Sequence, residues 1–255
     1  MKIETYAISK VGTRSHQDDA VGDADLVAGR CAVIADGAGG HRGGAIASKV
    51  ATEAILLNLA NARRWAPERL QEAIAAASRS VKKQQEANPN MAEMSTTVVI
   101  LCLEPDGRTA YWTHVGDSRL FHFRRGVGTQ LTRDHSVVQS FEDAGVVLPG
   151  SARPDRSMLY AAIGAEGDLK LVVDVKPDLR DGDAFLMCTD GVWDTVPLEE
   201  MEREYILAAL ELNAGNQTRT AEQLRIGSAT LYRKLKSYGV TSKRALTAEA
   251  PPSGE

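Results

Sequence analysis

The chain has 255 residues, of which 43% are hydrophobic and 25% are charged, and its formal net charge is −4. This length fits one large domain, or a main domain with a small one beside it. The composition excludes collagen-like, disordered and disulfide-scaffold proteins. No stretch approaches the roughly 20 apolar residues that cross a bilayer, and the N-terminus lacks the apolar core of a secretory signal. We therefore expect a cytoplasmic location and no membrane partner.

Charge is unevenly distributed along the chain. Residues 201–255 hold 8 Lys and Arg against 6 Glu, and within 213–244 there are seven basic residues and one acidic residue. The first 200 residues carry 22 basic and 28 acidic residues. This imbalance indicates two modules with different partners, and only the basic module has the charge of a nucleic-acid surface.

The predicted elements follow from the spacing of apolar residues. Runs rich in β-branched residues predict strands at 3–9, 27–35, 96–103, 110–115, 119–123, 171–175 and 184–188. Helical spacing predicts helices over 45–59, 67–85 and 136–144, with Pro67 in a first turn and Gly145 as a left-handed cap. The connections between strands are too short for βαβ crossovers, which favours the α+β class with antiparallel sheets.

After residue 196 the pattern becomes purely helical. Helices are predicted over 198–212, 218–224 and 228–237, and residues 241–255 are expected to be disordered. The three cysteines each lie in an apolar run, at a spacing that suits neither a disulfide framework nor a zinc site. We expect these cysteines to be small buried residues: Cys31, Cys102 and Cys188.

Three aspartates follow predicted strands, each beside a glycine. They are Asp36 in VIADGAGGH, Asp117 in HVGDSRLF and Asp190 in FLMCTDGVWD. A carboxylate at the end of a strand is held by a rigid scaffold, and the glycine lets the backbone approach a ligand closely. Any one of these strings alone is better explained by a common Asp-Gly turn. Together they indicate one site.

A fourth string, VGTRSHQDD, adds Arg14, Asp18 and Asp19. Converging carboxylates would repel one another unless a cation neutralised them, and hard oxygen donors suit Mg²⁺ or Mn²⁺. The arginine supplies a planar fork for two phosphate oxygens. Carboxylates, a metal and an arginine are the groups that hydrolysis of a phosphoryl group requires.

These motifs, in this order, resemble the metal-dependent protein serine/threonine phosphatases of the PPM (type 2C) family in their bacterial form. The similarity covers roughly residues 3–195, and it includes the Ser-Thr-Thr of MSTTVVI and the LTRDHS string. It implies an α+β fold of two antiparallel sheets sandwiched between helices. It also implies a protein substrate phosphorylated on serine or threonine, and a cognate protein kinase as a further partner.

The resemblance implies roles for the site residues. Asp36 would bridge two Mn²⁺ or Mg²⁺ ions, one of them also bound by the Gly37 carbonyl, and Asp190 would bind a metal directly. Asp18 and Asp19 would support the site through bound waters. Water that bridges the two ions would then attack phosphorus in line.

Two further residues complete the implied site. Arg14 would clamp the phosphate, and Asp117 would form a weaker third metal site. The histidines that fall inside the family's strings are expected to have structural roles: His41, His114 and His135.

The same resemblance predicts an incomplete catalytic domain. In this family a final strand follows a Gly-x-x-Asp-Asn string whose aspartate binds a metal, whereas the last aspartate here is Asp194. Losing one anionic ligand would weaken the ion that it holds. We therefore expect much reduced phosphatase activity, or a partner that completes the site.

The string YILAALELNAGNQTRTAEQLRIGSATLYRKLKSYGV, over roughly residues 204–240, is similar to the Fis-type helix-turn-helix of NtrC-class transcriptional regulators. A departure from that family is Arg225, which replaces a glycine at the turn, where left-handed backbone would cost roughly 1 kcal/mol. Helical spacing predicts a core formed by Ile206, Leu210, Leu224, Leu231, Leu235 and Tyr238.

That packing leaves Thr230, Arg233 and Lys234 as candidate contacts to duplex DNA. Composition alone favours a three-helix bundle whose charges are merely solvated, and the TLYRKL string favours the helix-turn-helix instead. We predict a phosphatase domain over 1–200, a helix-turn-helix over 201–240 and a tail over 241–255. Three hypotheses remain open: a phosphatase with an appended helix-turn-helix, a DNA-binding regulator with a non-catalytic sensing domain, and a truncated or fused product with little function.

Overall fold

The computed structural model describes residues 2–12, 15–38, 43–146, 154–155, 157–167, 169 and 171–240. The predicted tail over 241–255 lies outside these residues. The chain divides into two compact units. The first unit comprises Met1–Phe121, Gln130–Arg180 and Leu186–Thr195, and the second comprises His122–Thr129, Asp181–Phe185 and Val196–Glu255.

The strands of the described chain are β1 (Ala20–Leu26), β2 (Gly29–Ala35), β3 (Gly37–Ala38), β4 (Ser95–Thr96), β5 (Val98–Leu103), β6 (Ala110–Val115), β7 (Arg119–Arg124), β8 (Val127–Gln130), β9 (Asp174–Lys176) and β10 (Ala184–Cys188). The α-helices are α1 (Gly43–Leu59), α2 (Pro67–Ala87), α3 (Val137–Asp143), α4 (Asp190–Trp193), α5 (Leu198–Leu212), α6 (Gln217–Leu224) and α7 (Ser228–Ser237). A short 3₁₀ turn, Pro89–Met91, follows α2.

The principal sheet has five strands in the order β1-β2-β5-β6-β9, and all of its pairs are antiparallel. Strands β10, β7 and β8 form a second sheet, and β3 pairs with β4 antiparallel. The α+β class with antiparallel sheets, which the short connections predicted, is therefore confirmed.

The core of the first unit lies between the principal sheet and two helices. Helix α1 packs against α2 and against β1 and β2. Leu70, Ile74, Ala77 and Val81 of α2 are all buried, at the steps of three and four that predicted the helix. Pro67 begins α2, as predicted, because a first-turn residue needs no backbone N–H partner.

The predicted strand over 3–9 is wrong. Residues 2–10 belong to no strand or helix, and the side chains of Tyr6 and Ile8 are 87% and 81% exposed. Apolar, β-branched sequence forms a strand only where another strand pairs with it. Within the described ranges, no strand pairs with this segment.

Strand β1 was not predicted, because its sequence resembles a turn. It carries Gly22, Asp23 and Asp25, residue types that are depleted in strands. A Cβ atom on Gly22 would lie 2.6 Å from Cγ2 of Thr52, so the glycine lets α1 approach the strand. Arg30 of β2 pairs with both aspartates, which offsets their charge at this edge strand.

The described part of the second unit contains three helices whose bounds match the predicted ones to within a residue. Its core consists of Ile206, Ala209, Leu210, Ala221, Leu224, Leu231 and Leu235, with Tyr238 packed against them. The predicted helical packing is therefore confirmed. Arg225 between α6 and α7 is left-handed, with φ of 53°, as the sequence comparison led us to expect for this position.

These helices contact strand and turn residues of the same unit. The Glu202 carboxylate accepts a hydrogen bond from the Gly128 backbone N–H at 2.7 Å, and the Tyr205 hydroxyl donates one to the Gly182 carbonyl. The rings of Phe123 and Tyr205 lie 5.3 Å apart. The second unit is therefore built from both helices and strand residues.

All three cysteines are buried free thiols, as predicted. Cys31 and Cys102 are directly opposite each other in the β2–β5 register, with their sulfur atoms 3.6 Å apart. Among the helices of the described residues, none has both the length and the apolar character needed to cross a membrane.

Candidate active site

Four of the predicted aspartates lie close enough together in the first unit for their charges to affect one another. Asp36 follows β2, Asp117 lies in the turn between β6 and β7, Asp190 begins α4 and Asp19 precedes β1. Burial raises the pKa of Asp36 to about 8, and the charges of Asp190, Asp19 and Asp117 add to the effect. Carboxylates from four separate segments therefore act on one another.

Asp117 is the most buried of these carboxylates, with 7% of the residue exposed. Burial raises the pKa of Asp117 to about 6, and the charges of Asp134 and Asp190 add to that rise. The turn begins with Gly116 at φ of 98°, a conformation that glycine adopts without strain.

The segment before β1 contributes Asp18 and Asp19. The Asp18 carbonyl accepts a hydrogen bond from the Ser48 hydroxyl of α1 at 2.6 Å. Its Oδ2 lies 3.3 Å from His16 Nε2, whereas its Oδ1 is buried without a hydrogen-bond partner. Thr189, the residue before Asp190, donates a hydrogen bond to Asp19 Oδ2 at 3.1 Å.

Gly37 lies where two backbone segments meet. A Cβ atom on Gly37 would be 2.1 Å from the Gly44 carbonyl oxygen and 2.7 Å from the Asp18 carbonyl oxygen. A Cβ atom on Gly44 would in turn lie 2.6 Å from the Gly37 carbonyl oxygen. Only glycine at both positions lets α1 begin beside Asp36.

The donor set fits divalent cations. The donor atoms are carboxylate oxygens, the ligands that Mg²⁺ and Mn²⁺ prefer. The buried Oδ1 of Asp18 has no hydrogen-bond partner, and a cation or its bound water would supply one. In the described ranges, no three acidic, histidine or cysteine side chains form a ready-made metal cluster. Repulsion among uncompensated carboxylates is unfavourable, and a cation would remove it.

Two predicted residues, Arg14 and His41, lie outside the described residues. The other two predicted histidines, His114 and His135, contact each other. Their rings stack 4.5 Å apart, and burial lowers the pKa of both, to about 4 for His135. The His114 ring donates a hydrogen bond to the Arg133 carbonyl at 2.7 Å, and His135 accepts one from the Gly116 N–H at 3.3 Å. This geometry is that of structural histidines.

Sequence reasoning missed the role of Arg119. Its guanidinium group forms two hydrogen bonds with the buried Asp134 carboxylate, at 3.0 and 2.6 Å. The guanidinium carbon also lies 3.6 Å from the centre of the Trp193 ring, at the end of the helix that Asp190 begins. The sequence signal that pointed to this pair was the LTRDHS string, which contains Asp134.

The predicted DNA contacts differ in their surroundings. Arg233 is exposed, and its guanidinium group lies 3.4 Å from the Thr230 hydroxyl oxygen. Lys234 is instead largely buried, and its ammonium group lies 3.3 Å from a Glu202 carboxylate oxygen. Thus Arg233 is the more accessible of the two cations.

Comparison with known proteins shows that the sequence is similar to protein phosphatases. The sequence profile described as Protein phosphatase 2C matches residues 9–226, which reaches beyond the predicted limit near residue 195 and through α6. The chain is 31% identical over 207 residues to the serine/threonine protein phosphatase PstP of Mycobacterium tuberculosis, covering 78% of this chain and 37% of PstP. The chain thus spans just over a third of the length of that relative.

Two further comparisons also match the chain to serine/threonine phosphatases. The serine/threonine phosphatase Stp of Listeria innocua is 30% identical over 181 residues, which cover 67% of this chain and 69% of Stp. A crystal structure of the PstP catalytic domain in complex with 2 manganese ions superposes with a TM-score of 0.62 at 28% identity, over 87% of each chain.

Proposed function

The chain belongs to the protein phosphatase 2C family, and from that premise we propose that it is a metal-dependent protein serine/threonine phosphatase. Its substrate is a protein phosphorylated on serine or threonine, and its cofactor is a pair of Mn²⁺ or Mg²⁺ ions. The observation that supports this most directly is the half-buried Asp36 carboxylate, whose pKa is raised to about 8 among Asp190, Asp19 and Asp117. A site of this kind binds cations and, through them, phosphate.

We propose for the site residues the roles that the family resemblance implies. Asp36 and Asp190 hold the cations, with the Gly37 carbonyl beside Asp36, and Asp18 and Asp19 contribute through water. The bound ions supply positive charge for the phosphoryl oxygens and lower the pKa of water.

Asp117 contributes a weaker, third cation site, the role that the family resemblance implies for it. Arg14 holds the phosphate group by its planar fork. A cognate protein kinase, which would generate the substrate, is the further partner that we propose.

The test is hydrolysis of phosphoserine and phosphothreonine peptides by the full chain, with and without Mn²⁺. We expect Mn²⁺-dependent release of phosphate, which Asp36→Asn lowers by at least about 100-fold because the principal cation ligand loses its charge. The matched control is Asp25→Asn, which changes an exposed carboxylate at the far end of β1. Wild-type turnover by Asp36→Asn, or no Mn²⁺-dependent turnover by the wild type, would contradict the proposal.

The same assay tests the expectation of reduced activity. Residues 195–255 contain no aspartate, and residues 198–237 are helical apart from their turns. We propose that this makes hydrolysis slow unless another segment or a partner supplies the anionic ligand. Turnover at the rate of a relative with the full set of aspartates, assayed in parallel, would contradict this.

A second function, binding of duplex DNA by the predicted helix-turn-helix over 201–240, is favoured by one observation. The helices around the core of the second unit leave Arg219, Arg225, Arg233 and Lys236 exposed. We expect salt-sensitive binding to duplex DNA, weakened when Arg233 and Lys234 are both changed to alanine. Arg79→Ala, on the exposed face of α2, is the matched control. Equal binding by all variants would exclude α7 as the DNA surface.

A further inference from the structure

Two buried threonines, Thr96 and Thr97, form hydrogen bonds with the backbone N–H and carbonyl groups of Asp36. The Asp36 N–H donates a hydrogen bond to the Thr97 hydroxyl oxygen at 3.0 Å. The Asp36 carbonyl accepts one from the Thr96 hydroxyl and one from the Thr97 N–H, both at 2.8 Å. These threonines belong to the Ser-Thr-Thr string, which the proposed cation ligands leave without a role.

Thr97 also contacts the turn that carries Asp117. Its hydroxyl oxygen lies 2.6 Å from that of Ser118, the next residue after Asp117. A Cβ atom on Gly116 would lie 2.6 Å from the Thr97 methyl carbon, so this methyl group packs directly on the glycine before Asp117. Both hydroxyl groups are buried, with Thr97 4% and Ser118 1% exposed.

We propose that Thr97 is a positioning residue that fixes the spacing between the Asp36 and Asp117 carboxylates. Its hydroxyl group joins the Asp36 amide to Ser118, and its methyl group sets how closely Gly116 approaches. The inference rests on the proposed cation site, whose two ligand-bearing loops it connects. Residues that hold metal ligands in place typically change metal affinity or activity by 10- to 100-fold when they are lost.

The hydroxyl group is the feature that makes the proposal testable. A valine at position 97 has nearly the same shape but would leave the partly buried Asp36 N–H without its acceptor, and N–H groups shielded from water are almost always paired. The loop would shift to regain a partner, and the Asp36 carboxylate would move with it. A serine keeps the hydroxyl group and loses only the methyl contact.

Thr113 provides a matched control for ordinary burial. It lies in β6, is 1% exposed, and its hydroxyl group donates a hydrogen bond to the Val172 carbonyl at 2.8 Å. Thr113→Val therefore removes a buried threonine hydrogen bond of the same unit, while the Asp36 backbone keeps all of its hydrogen bonds.

The experiment measures Mn²⁺ binding to the full chain by calorimetry, without substrate, together with the urea midpoint of each variant. We expect Thr97→Val to weaken Mn²⁺ binding by about 10- to 100-fold, Thr97→Ser to stay within about threefold, and Thr113→Val to lose stability without losing Mn²⁺ affinity. Should Thr97→Val not fold, Ser118→Ala breaks the same bridge at the Asp117 end and is expected to weaken binding as well.

Wild-type Mn²⁺ affinity in Thr97→Val, or an equal loss in Thr113→Val, would overturn the positioning role while leaving the proposed phosphatase intact. A wild type that binds Mn²⁺ but does not hydrolyse phosphopeptides would contradict the proposed function, and the binding series would still decide the role of Thr97. A wild type that does not bind Mn²⁺ would overturn both.

Discussion

At the scale of single residues, the raised pKa of Asp36 makes the metal-free protein sensitive to pH. The folded carboxylate has a pKa of about 8, against roughly 4 in an unfolded chain. Between these values the folded state binds more protons, so the free energy of unfolding falls as pH rises from about 4 to about 8. The raised pKa of Asp117, about 6, adds to this fall in the lower half of the range.

The corresponding prediction concerns Asp36→Asn. With a chelator present, the wild type loses stability to urea between pH 6 and pH 8, whereas the variant, which cannot ionise at this position, loses less. A difference of about 1 kcal/mol in the free energy of unfolding also shifts the Tm of a chain of this size by roughly 2–4 °C, so thermal melts measure the same trend. We expect Asp25→Asn to keep the wild-type dependence of stability on pH. The same dependence in Asp36→Asn would contradict the prediction, because it would show that ionisation of Asp36 does not destabilise the fold.

Arg119 gives a second prediction at this scale. Asp134 has only 8% of its side chain exposed, so Arg119→Met leaves a buried carboxylate without its cation. We expect a loss of about 3 kcal/mol in the free energy of unfolding, much of it recovered when Asp134→Leu is added, since the pair is then removed together. Arg69→Met, which breaks an exposed pair with Glu72 on α2, should cost less than about 1 kcal/mol.

At the scale of elements, the turn between α6 and α7 contains a strained residue. Arg225 has φ of 53°, a conformation that costs a non-glycine residue roughly 1 kcal/mol. Arg225→Gly should therefore raise the free energy of unfolding by about 0.5–1 kcal/mol. Arg203→Gly, the same change inside α5, should lower it by about 1 kcal/mol. Two variants that shift the urea midpoint in the same direction would contradict the assignment of strain.

The elements also show how far local sequence could predict the fold and the site. Helices were predicted almost to the residue, because a 3.6-residue period and the prolines and glycines at helix ends are local signals. Strand β1 was missed and the segment over 3–9 was wrong, because pairing depends on which other strand is available. That Asp36, Asp117 and Asp190 lie close enough to interact could be predicted from strand-end glycine motifs, whereas their roles are still predictions. The Thr97–Ser118 contact joins residues 21 apart, and only the folded chain reveals it.

At the scale of the whole molecule, the helices after residue 196 share a unit with strand residues from earlier in the chain. The Tyr205 ring lies against Phe123, and a Cβ atom on Gly126 would lie 3.2 Å from the Ile206 side chain. Glu202 holds the Gly128 amide. The predicted boundary near residue 200 is still a prediction, and these contacts determine what cutting the chain there would do.

A chain ending at residue 203 would keep Glu202 but lose Tyr205, Ile206 and the rest of the helical core. The strand residues of the second unit would then expose apolar surface that the helices now cover, which favours aggregation and a lower unfolding midpoint. We expect the 1–203 chain to lose at least about 3 kcal/mol, as large truncations of buried side chains do. A chain ending at Val240 keeps every described residue of the unit and is the matched control. Equal urea midpoints and equal monomer fractions for the two chains would mean that α5–α7 form an independent appendage, as expected of a separate DNA-binding module.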